Sequence, residues 1–171
     1  FASRNDINSK DYINCPMNRE QYDAFWQALT TAEEAELKEF DREEQKKINV
    51  FEGCMPVEEL ARRGEQTLLF GPLKPVGLKD PKTGKEPYAV VQLRQDNGEG
   101  TLFNIVGFQT HLKFGEQKRV FSMIPGLEHA EIMRPAYAIE YDCVDPLELL
   151  PTLETKKIPG LYGAGQFCGS S

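Results

Sequence analysis

The sequence is poor in the residues that staple or metallate small proteins. Its 171 residues hold four cysteines and two histidines. Cys15, Cys54, Cys143 and Cys168 form no CxxC pair and no metal-ligand spacing, and His111 and His129 add too little for zinc, so no metal site is expected. Free thiols in a reducing, cytoplasmic setting are the expectation. No apolar run approaches the ~20 residues that a bilayer-spanning helix needs, and no membrane partner is expected. The opening FASRNDINSKDY has neither a basic stretch nor an apolar one and does not read as a signal peptide. It also lacks an initiator methionine, and GQFCGSS stops within a glycine-rich turn. Both ends lead to the expectation of a piece of a longer chain.

Apolar residues make up 40% of the chain, enough for a packed core and against wholesale disorder. The net charge of −7 is unevenly spread: residues 1–60 carry −7, residues 61–120 carry +4 and residues 121–171 carry −4. An acidic total argues against general affinity for nucleic acid, while a basic middle can meet a phosphate backbone locally.

Asn18 and Gln21 have the spacing of a capping box, and Tyr22, Phe25, Trp26 and Leu29 form an apolar stripe, which predicts an amphipathic helix over residues 19–34. The charged run EEAELKEFDREEQKKI reads as a solvated helix end or loop. Residues 66–80 read as a loop punctuated by Gly71, Pro72, Pro75 and Gly77, and DPKTGKEP as an exposed turn. YAVVQLRQ and TLFNIVGFQ around DNGEG predict an antiparallel hairpin. FGEQKRVFSMI reads as a short helix ending before Pro125, and EIMRPAYAIEY as a strand with Pro135 at its edge. KKIPGLYGAGQ reads as a turn, a short buried strand and a glycine turn. Interspersed helices and strands place the fold in the α/β or mixed α+β class.

Cys54 lies in FEGCMPVEELARRG. Pro56 suits the first turn of a helix, and Val57, Leu60 and Ala61 supply its apolar stripe, which puts Cys54 at or just before a helix N-terminus. Exposed N–H groups there stabilise a thiolate, whereas Glu52, Glu58 and Glu59 oppose one. Packing of a loop onto the core is the plainer role. Cys15, in INCPMNRE, has a very similar setting, so local sequence does not separate the two. For Cys143 and Cys168, structural or incidental roles are expected.

Taken together, DYINCPMNREQYDAF, FEGCMPVEELARRG, LFGPLKPVGL, YAVVQLRQDNGEGTLFNIVGFQTHLKFGEQKRVF and MIPGLE closely resemble the folate- and FAD-dependent tRNA (uracil-5-)-methyltransferases of bacteria, over residues 1–128. RPAYAIEYDCVDP and PTLETKKIPGLYGAGQ are more similar to the sister family, the GidA-like flavoproteins that install carboxymethylaminomethyl groups on wobble uridines of tRNA. The resemblance implies an insertion domain with a mixed sheet and helices over residues 1–128. It implies a partial return to a Rossmann-like FAD-binding domain over residues 129–171. It further implies FAD, methylenetetrahydrofolate and NAD(P)H as cofactors and tRNA as the partner. Cys54 matches the cysteine implicated in catalysis, as attacking thiolate or as proton-transfer partner. Gln166 matches a glutamine that contacts FAD, and Gly163 and Gly165 would let the backbone approach the flavin. Arg62, Arg63, Lys113, Lys118 and Arg119, in the basic middle, become candidates for RNA phosphate contacts. A segment of the wobble-uridine enzyme and a non-catalytic RNA-contacting module remain the alternatives.

Overall fold

A computed structural model describes residues 12–35, 55–80, 83–137 and 148–164. The chain divides into two units, Phe1–Ala138 and Ile139–Ser171. Its elements are β1 (Tyr12–Met17), α1 (Arg19–Thr31), α2 (Val57–Arg62), α3 (Thr67–Phe70), β2 (Ala89–Gln95), β3 (Phe103–Ile105) and α4 (Phe114–Phe121). This is a mixed α/β arrangement around a small antiparallel sheet of order β1-β2-β3.

The central strand β2 is buried from Ala89 to Leu93, where it pairs with β1 and its apolar side chains join the core, while β3 pairs with its other edge at residues 93–95. One polar residue sits within it. Gln92 is opposite Asn14 in the β1 register and donates from Nε2 to Asn14 Oδ1 at 2.9 Å, so the buried amide is satisfied. Pro16 falls on β1, an edge strand, where its missing N–H is tolerated. The expected hairpin forms β2 and β3. Asn97 organises its loop by accepting at Oδ1 from the N–H groups of Thr101 and Leu102, both at 3.0 Å.

The capping box is present in full: Asn18 Oδ1 accepts from Gln21 N at 2.8 Å, and Gln21 Oε1 accepts from Asn18 N at 2.9 Å. Helix α1 buries Tyr22, Phe25 and Leu29 completely. Phe25 meets Phe108, which meets Phe121 edge-on at 5.4 Å, tying α1 to α4 through the segment after β3. Trp26 Nε1 donates to Ala61 O at 2.9 Å, and Tyr22 Oη donates to Glu65 O, so α1 also holds α2 and the turn after it.

Several expectations change. Residues 67–70 of the supposed loop form the short helix α3. Helix α1 stops at Thr31, and the charged run after it lies mostly outside the described residues. Helix α4 and the hairpin stand where expected. Residues 131–137 form no strand, and the rest of EIMRPAYAIEY is not among the described residues. Gln117 holds Ala136 instead, donating from Nε2 to its carbonyl at 3.0 Å and accepting its N–H at Oε1 at 2.9 Å. In the second unit, IPGLY is not a buried strand: Ile158, Leu161 and Tyr162 are all at least half exposed, and among the described residues only the isolated bridges Leu149–Thr155 and Glu154–Tyr162 form. Pro159 and the positive φ of Gly160 turn the backbone too sharply there for a ladder.

Candidate functional site

The start of α2 is the part of the FEGCMP motif region that the structure describes. Cys54 itself lies outside the described residues, as do Cys143, Gly165, Gln166 and Cys168. Helix α2 has only six residues, its cap Pro56 offers no side-chain hydrogen bond, and Val57 N donates to Gln109 O at 2.7 Å.

What fixes α2 is a carboxylate. Glu58 is fully buried, with Oε2 accepting from Thr110 Oγ1 at 2.7 Å and Oε1 accepting from His111 N at 2.7 Å. Thr110 Oγ1 in turn accepts from Leu112 N at 3.0 Å. The sequence places Leu60 on the apolar stripe and Glu58 in the first turn, as an acid opposing a thiolate at Cys54. The structure half-buries Leu60 and puts Glu58 inside. A buried acid leaves no periodic signature, and its donors lie more than fifty residues away, at separations of 52 and 53.

The segment 109–113 is therefore a hub. It receives Val57 and Glu58 on one side. On the other, Ala35 N donates to His111 O at 2.8 Å and Lys113 N donates to Glu33 O at 3.0 Å. Of the acids expected to oppose a thiolate near Cys54, Glu59 is paired with Arg62 at 2.9 Å and Glu58 is held by its two donors. Glu52 lies outside the described residues.

The cations proposed for RNA divide into two kinds. Arg62 bridges Glu34 at 2.5 Å and Glu59 at 2.9 Å. Partial burial alone would lower its pKa, but the hydrogen bond and charge of Glu34, then Glu59 and Glu58, raise it, so this guanidinium is a fixed structural cation. Arg119 makes a two-pronged pair with Glu116, at 3.0 and 2.6 Å. That hydrogen bond holds the Glu116 carboxyl below the usual carboxylate range. Lys113 pairs with Glu33 at 2.8 Å. Arg63 is exposed at the C-cap of α2. Lys118 lines a half-open cleft of roughly 540 Å³ with Phe114, Glu128, His129 and Ile132.

Cys15 separates from Cys54 here. It lies in β1, 5% exposed, opposite Val91 in the sheet. Burial, followed by the charge of Glu128, pushes its thiol pKa up. It is an inert core thiol.

In the second unit Gly163 N donates to Leu153 O at 2.9 Å, so this amide is committed within its own loop. Leu153 itself has φ of 65°, an unusual value for a branched residue. The described part of the glycine turn thus offers no free N–H at Gly163 for a flavin phosphate. Among the described residues no cluster of three or more His, Cys, Asp or Glu side chains could hold a metal ion. No helix among them is long and apolar enough to cross a membrane.

Fold and site together define a small mixed α/β module in which a buried acid locks a short helix, next to the FEGCMP cysteine in sequence, onto a central hub. Residues 2–171 match the family model described as glucose inhibited division protein A, and the chain belongs to that family. Among its relatives, the methylenetetrahydrofolate–tRNA-(uracil-5-)-methyltransferase TrmFO of Acetivibrio thermocellus is 59% identical over 169 residues, which is 98% of this chain and 38% of that protein. The TrmFO proteins of Listeria monocytogenes and Heliobacterium modesticaldum are 58% and 56% identical over 170 residues, 99% of this chain. The match therefore continues through the last quarter of the chain, beyond residue 128. The chain spans about 38% of the length of these relatives.

Proposed function

We propose that this chain is an internal segment of a tRNA-modifying flavoenzyme that methylates carbon five of the T-loop uridine, with methylenetetrahydrofolate as one-carbon donor. The observation that carries the reading is the 59% identity over 98% of the chain to a protein named for that reaction. Carbon five of uracil is a poor nucleophile. Addition of a thiolate to the neighbouring ring carbon makes it nucleophilic, and the thiolate is expelled once the new bond is made and the carbon-five proton is lost. Cys54 is the residue of this chain proposed for that work, as the attacking thiolate or as the group that moves the proton. Glu58, Thr110 and His111 hold the helix that follows it.

Reduced FAD, recharged by NAD(P)H, would supply the hydride. Among the described residues, Gly163 N is engaged by Leu153 O and is not offered to it. Gly165 and Gln166 stay as proposed contacts within a Rossmann-like FAD domain completed by the rest of the longer protein. The partner is tRNA and the setting cytoplasmic.

The second reading is the wobble-uridine enzyme, favoured by the family model's description and by PTLETKKIPGLYGAGQ. Nucleoside mass analysis of tRNA from a strain lacking the gene separates the two. Loss of 5-methyluridine supports the methyltransferase, and loss of the carboxymethylaminomethyl group with 5-methyluridine intact refutes it.

A further inference from the structure

We propose that the lysine-rich loop between α3 and β2, not the cations of α2 and α4, is the surface that grips the RNA backbone. The inference rests on the tRNA reading above and names the face that serves it. From Phe70 to Tyr88 the chain carries four lysines against two acids, and Lys82 alone of these lies outside the described residues. Lys74, Lys79 and Lys85 are all exposed.

Both acids of the loop have internal duties. Glu86 Oε1 accepts from Gly77 N at 3.1 Å, and Asp80 Oδ2 accepts from Thr83 Oγ1 at 3.2 Å. Neither Lys79 nor Lys85 takes part in an ion pair among the described residues, whereas Arg62, Lys113 and Arg119 all do. A cation that must first release a carboxylate gains less from a phosphate than one facing water.

The described parts of the loop, residues 71–80 and 83–88, are also held in shape. Leu73 and Leu78 are buried anchors, and Val90 N donates to Leu73 O at 3.1 Å, tying the loop to β2. Between the anchors, Leu78 N donates to Pro75 O at 3.0 Å around Gly77 at φ 83°, a type II turn with glycine where positive φ is required. A second turn closes from Gly84 N to Asp80 O at 2.8 Å. Lysines on a braced loop lose less freedom on binding than lysines on a floppy one.

Phe70 adds a second feature suited to RNA, at the start of the same loop. It is 80% exposed, at the end of α3 where the loop begins, and a bare aromatic ring is a stacking platform for an unpaired base. A surface with lysines and an exposed ring fits a looped RNA better than it fits a duplex, whose bases are already stacked.

The test uses the full-length protein, unmodified tRNA transcript and fluorescence anisotropy across a salt series. Lys79→Ala with Lys85→Ala should weaken tRNA binding by ~10-fold and lower the slope of log affinity against log salt by about two. KM for tRNA should rise while kcat at saturating tRNA holds. Phe70→Ala should weaken binding without changing the slope. Arg119→Ala, whose cation is held by Glu116, should move the affinity less than about twofold. If the wild-type protein binds tRNA and the double variant keeps both affinity and slope, the loop assignment is overturned and the tRNA reading stands. If the wild-type protein binds no tRNA, the tRNA reading falls, and the loop assignment with it.

Discussion

Glu58 and Thr110, 52 residues apart in sequence, meet through a buried 2.7 Å hydrogen bond that fastens α2 to the hub segment. A buried carboxylate is tolerable only with its donors in place. Thr110→Val removes one donor and should destabilise the fold by ~1–3 kcal/mol in urea denaturation. Glu58→Ala strands both Thr110 Oγ1 and His111 N and should cost more, ~2–4 kcal/mol. In a double-mutant cycle the two losses should fall well short of adding. Additive losses would show that the pair does not act as a unit.

Gly107 should be far harder to replace than Gly84. Its φ is 78°, and a Cβ there would sit 2.8 Å from Pro72 Cβ, within the loop that precedes β2. Gly107→Ala combines backbone strain with a clash and should cost ~2–4 kcal/mol, whereas Gly84→Ala, at φ 68° with open space around it, should cost only ~1 kcal/mol. Thermal unfolding of the two variants side by side checks the order.

Asn18→Ala should lower stability by ~1 kcal/mol, because the Gln21 N–H loses its acceptor at the start of α1. Gln21→Ala removes only the reciprocal arm to Asn18 N and should cost less. Equal losses would contradict this division of the box.

Cys15 gives a pH prediction. Its folded pKa is raised by burial and by Glu128, above the value of an unfolded thiol. The folded state therefore disfavours the thiolate. The corresponding stability is fully present below the ordinary thiol pKa and is lost as pH rises from there through the raised folded value. Cys15→Ala should remove that alkaline decline. In native protein, Cys15 should be alkylated far more slowly than after denaturation, read peptide by peptide in a mass spectrometer.

Local chemistry was legible in the sequence, and distant pairing was not. Asn18 and Gln21 declared the start of α1, and the flanks of DNGEG declared the β2–β3 hairpin, because caps and turns are written in neighbouring residues. Strand β1 was missed: its Pro16 and the adjoining helix cap disguised six residues that pair only with β2, some eighty positions on. Glu58 was placed on the right helix turn and the wrong side of the surface, since its donors come from residues 110 and 111. The RNA candidates were chosen by charge alone, and charge alone does not reveal that Glu34, Glu33 and Glu116 already hold Arg62, Lys113 and Arg119. Cys54 and Cys15 looked alike in sequence, and the sheet told Cys15 apart.

The most direct test of the methyltransferase reading is the 5-methyluridine yield of full-length protein carrying Cys54→Ala. The measurement supplies tRNA, methylenetetrahydrofolate, FAD and NAD(P)H, with flavin content and thermal unfolding as controls. The account predicts no 5-methyluridine from a variant that still folds and still binds flavin. Wild-type yield from that variant would contradict it.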